Sequence, residues 1–208
     1  MTLAVWLALA PLRLLAALGL RRSLILACLF VLAVTAYGVA EDLELLDPPA
    51  AAKPTRRASQ APPSAAARAD IPAGYLSLYR TAARRCPGLS WSALAAIGKV
   101  ESDHGRARLP GVRSGWNAAG AAGPMQFGIG VGRAGNAWAR YGADFDRDGH
   151  TSVYDPGDAI PATADYLCAA GAPRRLDRAL HAYNHSWSYV AKVKAIAARY
   201  RARGGDRR

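Results

Sequence analysis

The chain predicts a mainly α-helical domain carried behind an apolar N-terminal segment and a disordered linker. Past residue 70, apolar side chains recur at helical spacing, and no stretch alternates as a half-buried strand would. Residues 23–40, SLILACLFVLAVTAYGVA, carry no charge and come close to the ~20 residues that cross a bilayer. Residues 47–70 are rich in Pro and Ala with hardly any large apolar side chain, so they are expected to bury no core.

From the N-terminus, residues 1–22 read as a cytoplasmic or interfacial piece, apolar but interrupted by Pro11 and Arg13. Arg21 and Arg22 precede the uncharged run, and Glu41, Asp42 and Glu44 follow it. The positive-inside rule therefore puts everything after residue 41 outside the cytoplasm. The run is either a single-pass anchor in the cytoplasmic membrane or a signal cleaved near Ala40, where small residues cluster. Both export the rest of the chain. Cys28 lies inside the run in a poor context for lipidation. The remaining cysteines, Cys86 and Cys168, form an even pair in an oxidising compartment and are expected to be bridged. The net charge of +12 raises the question of nucleic acid, but the arginines are scattered through linker, domain and tail, and export removes that partner.

The linker is placed at residues 41–70, the folded domain at 71–200 and a basic tail at 201–208. In the domain, Tyr75, Leu78, Tyr79 and Ala82 make one stripe. Ser90 is expected to cap a helix in which Trp91, Leu94 and Ile97 share a face, with Gly105 just past its end. A helix starting near Asp158 would hold Pro161 in its first turn and turn Ile160, Ala164 and Leu167 inward. Leu176, Leu180 and Tyr183 mark another helix; Tyr189, Val190, Val193, Ile196 and Tyr200 mark the last. Residues 109–132 are rich in Gly and small side chains, as a loop beside a cleft would be.

Glu101 stands four residues after Ile97 and seven after Leu94, so it extends an apolar helical face. A carboxyl there loses hydration, its pKa rises, and it can hold a proton near neutral pH as a general acid must. Asp103, two positions on, points away and reads as a surface residue. His104 and His185 have no matching metal partners and read as loop hydrogen-bonders.

Three segments follow in order: Lys99-Val100-Glu101-Ser102, then Gly123-Pro124-Met125-Gln126-Phe127, then Ala182-Tyr183-Asn184-His185-Ser186. Together they resemble the lysozyme-like lytic transglycosylases, which carry a Glu-Ser at a helix end, a Gly-x-Met-Gln turn and an Ala-Tyr-Asn segment. The likeness covers about residues 71–200, and residues 144–167 look closest to the membrane-bound type B branch. It implies a lysozyme-like fold and cleavage of peptidoglycan glycan strands, with Glu101 as the one catalytic carboxylate. By the same resemblance Ser102, Met125, Gln126, Tyr183 and Asn184 would bind substrate, Ser102 by holding the sugar or the acid. Hydrolysis by a goose-type-like muramidase, or wall binding without catalysis, are the alternatives. No organic cofactor is implied.

A second pattern is independent of the first. Asp144, Asp146 and Asp148 stand at positions 1, 3 and 5 of a loop with Gly149 at 6 and the His150 carbonyl at 7, as an EF-hand calcium loop opens. Asp155 stands where the closing Glu belongs, and the resemblance to the type B enzymes points instead to Asp158. A structural Ca2+ is expected here.

Overall fold

The computed structural model describes residues 61–202; the apolar segment at 23–40 and most of the linker and basic tail lie outside them. The described residues are mainly helical, in seven α-helices, as expected: α1 (Ala65–Asp70), α2 (Ala73–Ala82), α3 (Trp91–Ser102), α4 (Ala137–Tyr141), α5 (Pro156–Ala169), α6 (Leu176–Asn184) and α7 (Trp187–Arg201). Among them no helix is long and apolar enough to cross a membrane.

Helix α3 is the axis of the domain. Ser90 caps it through the Ser92 amide at 3.3 Å, and every residue from Trp91 to Gly98 is buried. That exceeds the single apolar stripe read from Trp91, Leu94 and Ile97, because both α2 and α7 pack against it. Alanines at 93, 95 and 96 let those neighbours approach closely. The helix ends with Asp103 in the left-handed conformation (φ 52°), its amide on Lys99 O and that of His104 on Gly98 O. These are the bonds of a Schellman motif. The position usually held by Gly is taken by Asp103, two residues before the expected Gly105.

The folded part starts earlier than composition suggests. Residues 65–70, assigned to the linker, form α1, which packs on α7. Six residues cannot sustain a helix alone. This one is held by Ser64, which caps the Ala67 amide and donates to Arg199 O, and by Ala67, which is fully buried. Ala-rich sequence with no large side chain looks like linker, yet a small side chain is what a close helix contact requires.

Helix α5 starts at Pro156, two residues before the expected position, with Asp155 as its cap; Pro161 therefore lies inside the helix, not in its first turn. The expected disulfide is present: Cys86, just after α2, is bonded to Cys168 of α5, with Cα atoms 5.6 Å apart. Closing a loop of 82 residues gives roughly 4 kcal/mol on a chain-entropy basis. The glycine-rich loop contains one small hairpin, β1 (Ala121–Ala122) against β2 (Phe127–Gly128), in the register Ala121–Gly128 and Ala122–Phe127. Its turn is the Gly-Pro-Met-Gln segment. Gly123 (φ 78°) is obligatory there, since a Cβ would overlap the Val153 carbonyl.

Candidate active site

Glu101 occupies the last turn of α3, where the helix leaves the fully buried core. The residue is half-buried. Burial is the largest influence on its carboxyl and pushes the pKa from the ordinary 4.5 up to about 7; the Tyr189 hydroxyl and the Lys192 ammonium pull it part of the way back. No other acid among the described residues acts on it appreciably. Asp103 is turned the other way, bonded to Lys99 at 2.6 Å and Arg106 at 2.8 Å. Its Arg106 hydrogen bond leads in lowering its pKa to about 2. The site therefore holds one carboxyl poised to give and take a proton near neutrality, with no second carboxylate beside it.

Two tyrosines surround that carboxyl. Tyr183, near the end of α6, donates to Met125 O at 2.7 Å and lies 3.5 Å from Thr163 Oγ1. Burial, and after it the charge of Glu101, hold its pKa well above the ordinary value. Tyr189, in the first turn of α7, responds to the same two causes. Its hydroxyl is buried and has no hydrogen-bond partner of regular geometry, yet it is close enough to lower the Glu101 pKa. A buried hydroxyl is normally satisfied, and a small shift would close this one onto the carboxylate.

The structure distributes the other expected residues unequally. Ser102, expected to hold the sugar or the acid, is 1% exposed, and its hydroxyl donates to Pro124 O at 2.6 Å and accepts from the Gly105 amide at 2.8 Å. It ties the hairpin turn to the end of α3. Met125, also expected at the cleft, is fully buried, with its sulfur near Gly98 of α3. Gln126 is half-buried in a left-handed conformation (φ 54°). Its Oε1 accepts from Asn117 Nδ2 at 2.9 Å and its Nε2 donates to Gly123 O at 2.8 Å. Asn184, the last residue of α6, is exposed.

Sequence reasoning missed two of these residues. Tyr189 was expected only as a core aromatic, although a buried tyrosine must place its hydroxyl somewhere. Asn117 was passed over inside the glycine-rich loop, yet its amide holds Gln126 and accepts from the amides of Ala119 and Ala121.

His104 is buried, and burial leads in lowering its pKa to about 4. It joins Tyr79 Oη at 3.0 Å to Tyr200 Oη at 3.3 Å, and Tyr200 donates to Asp70 at 2.7 Å. Gly98 makes this possible, because a Cβ there would collide with the Tyr79 hydroxyl. The expectation of a hydrogen-bonding His104 holds. His185 is exposed and caps α6 in the left-handed conformation (φ 53°).

Away from Glu101, the acidic loop brings its carboxylates together in two overlapping groups. One is Asp144, Asp146 and Asp158, the other Asp146, Asp148 and Asp155, each with oxygens within 4.8 Å. Asp158 is fully buried and accepts from the Phe145 and Ser152 amides, each at 2.8 Å. Asp155 is engaged as the cap of α5, through the Gly157 amide at 2.6 Å. Asp158 is thus the later acid grouped with Asp144, and Asp155 the one grouped with Asp148. The His150 amide donates to Asp148.

No family model matches the chain, and no curated protein matches it. Among solved structures it is similar to the Escherichia coli lytic transglycosylase Slt35 in complex with bulgecin A, at 16% identity and a TM-score of 0.49, over 63% of this chain and 75% of that one. A likeness so distant decides nothing about what the chain does.

Proposed function

We propose that the chain is an exported peptidoglycan lytic transglycosylase with a lysozyme-like fold, cleaving the β-1,4 bond between N-acetylmuramic acid and N-acetylglucosamine. The observation that carries this is the half-buried carboxyl of Glu101, with a pKa of about 7 and no partner carboxylate among the described residues. Ordinary glycosidases flank the bond with two carboxylates, one of which activates water or forms a covalent intermediate. One carboxyl of intermediate pKa suits a reaction that needs the same group first as acid and then as base. Protonated Glu101 gives its proton to the bridging oxygen, and the muramyl C1–O bond breaks. The muramyl C6 hydroxyl then bonds to C1 and returns its proton to the Glu101 carboxylate. The product carries a 1,6-anhydro ring, and no water is consumed.

Tyr183 and Tyr189 bound the acid, and the Tyr189 hydroxyl favours its ionised form; Gln126 and Asn184 are candidates to hold sugar. The chain would act from the outer side of the cytoplasmic membrane, anchored by residues 23–40 or released after cleavage near Ala40. The acidic loop would hold a structural Ca2+. Asp144, Asp146 and Asp158 present the oxygen ligands such an ion takes, and the neighbouring charges of Asp155, Asp148 and Asp158 add to desolvation in raising the Asp146 pKa. The ion would relieve that repulsion and fix the start of α5, with no part in the sugar chemistry.

Mass spectrometry of the soluble products from sacculi treated with the full-length protein, with Glu101→Gln in parallel, tests the reading. Muropeptides lighter by one water than hydrolytic products, absent with the variant, are expected. Ordinary reducing ends would instead make the enzyme a hydrolase, and an inactive wild type would leave a wall-binding module.

A further inference from the structure

Trp116 is, with Leu109, one of two exposed large apolar residues of the loop at residues 109–132, and the only aromatic one of the two. Its side chain is 58% exposed, whereas Trp91 in the core is 1% exposed. Single exposed apolar residues are common and need no explanation on flexible ground. Trp116 does not stand on flexible ground. Before it, the Gly115 carbonyl accepts from the Tyr154 hydroxyl at 2.7 Å. After it, the Asn117 amide donates to Ala121 O at 2.9 Å, while the Asn117 side chain accepts from Ala119 and Ala121 and donates to Gln126. Further back, the Gly123 amide donates to Gly111 O at 2.7 Å. A Cβ on Gly111 would press on the backbone at Trp116 and Asn117, so the two strands of the loop touch.

This anchoring also fixes where Trp116 stands. Asn117 bonds Gln126, Gln126 belongs to the turn that Ser102 ties to α3, and Ser102 follows Glu101. An exposed indole is therefore carried on an anchored backbone, one residue from the Asn117–Gln126 amide pair. An indole beside amides is the surface a pyranose matches, with C–H bonds on its face and polar groups on its rim. Holding the backbone in place beforehand removes the loop's share of the ordering cost of binding. Trp187 is as exposed, at 61%, but His181 already stacks on it at 4.3 Å.

We infer that Trp116 is a substrate-binding residue, the platform on which one sugar ring of the glycan strand stacks beside the Asn117–Gln126 amide pair. The inference rests on the glycan-cleaving reading above and names a subsite within it. Full-length Glu101→Gln protein is titrated with oligomers of alternating N-acetylglucosamine and N-acetylmuramic acid by calorimetry, alone and combined with Trp116→Ala, Trp116→Phe or Trp187→Ala. Trp116→Ala should weaken binding roughly tenfold, the equivalent of about 1.4 kcal/mol. Trp116→Phe should recover most of it and Trp187→Ala should change little. On sacculi, the Trp116→Ala enzyme should show the loss in KM with kcat within about threefold, as a residue acting equally on ground and transition states would. Binding unchanged by Trp116→Ala, or lowered equally by Trp187→Ala, overturns the subsite. Product analysis with the wild type judges the reaction separately, so a Trp116-dependent binder that makes no product would overturn the enzyme and keep the platform.

Discussion

Glu101 should be held in place at a cost to stability, and the cost should depend on pH. Its carboxyl has a pKa of about 7 in the folded protein against an ordinary 4.5. A group whose pKa rises on folding binds more protons folded than unfolded between those two values. Its contribution is therefore most favourable below about pH 4.5 and is lost as pH rises through 7. At about 1.4 kcal/mol per pH unit, the ionised form costs the native state about 3 kcal/mol once pH is well above 7. Glu101→Gln removes the charge and keeps the shape. The variant should match the wild type near pH 4 and exceed it by about 3 kcal/mol at pH 8 to 9, a rise of ~10 °C in Tm for a domain of this size. Thermal melts of both full-length proteins across that range read the difference directly. A gap between them that stays constant from pH 4 to 9 would refute the buried-acid assignment, whatever the variant does to activity.

Other outcomes follow from the same geometry. Cleavage should need protonated Glu101, so kcat/KM should fall about tenfold per pH unit above about 7; Tyr189→Phe, which removes a group that lowers this pKa, should move that limb to higher pH in a pH–rate profile. Asp70 accepts from Lys99, Arg106, Arg199 and Tyr200; Asp70→Ala should cost about 1–3 kcal/mol in urea unfolding at neutral pH. Burial would raise the Asp70 pKa, but the Lys99 and Tyr200 hydrogen bonds outweigh it and hold it low, so this contribution should vanish only as pH falls below the ordinary 3.8. Saturating Ca2+ should raise Tm, by about 2.7 kcal/mol of stability at a hundredfold excess over Kd. Asp158→Ala should abolish that response, while Asp155→Ala keeps it and loses only a helix cap worth ~1 kcal/mol.

What could be read in the sequence divides along a physical line. Helical periodicity exposed α2, α3, α6 and α7, because each buries large side chains at regular spacing. It missed α1, whose packing residue is Ala67, and it understated α3, whose extra buried faces are made of alanine. Burial by small residues leaves no mark in an apolar pattern. The acid was legible for a related reason: Glu101 interrupts a stripe, and an interruption on a buried face calls for an explanation. The burial of Ser102 and Met125 was not legible, because short motifs say which residues recur near a site without saying which way they point. Tyr189 and Asn117 were missed because their roles lie in what their polar atoms meet across the chain.

The three residues after Glu101 are all spent on fixing the end of α3. Ser102 bonds the hairpin turn, Asp103 bonds Lys99 and Arg106, and His104 bonds Tyr79 and Tyr200. A helix end is ordinarily the first part to fray, and a carboxyl that loses about 3 kcal/mol on ionising in place would gain by fraying into water. The anchors oppose that escape from three directions: the hairpin at Ser102, the α1 segment through Asp70 and Lys99, and the α2 and α7 tyrosines at His104. Two of the three draw on residues 61–70 through the Asp70 carboxylate, which also receives the Tyr200 hydroxyl. A chain cut at residue 71 would keep the acid, the tyrosines and the turn, yet lose the group on which two of these restraints converge. Its acid should then drift back toward an ordinary carboxylate pKa and its alkaline activity limb toward lower pH. Such a drift separates the role of α1 in holding the acid from a role in overall stability alone.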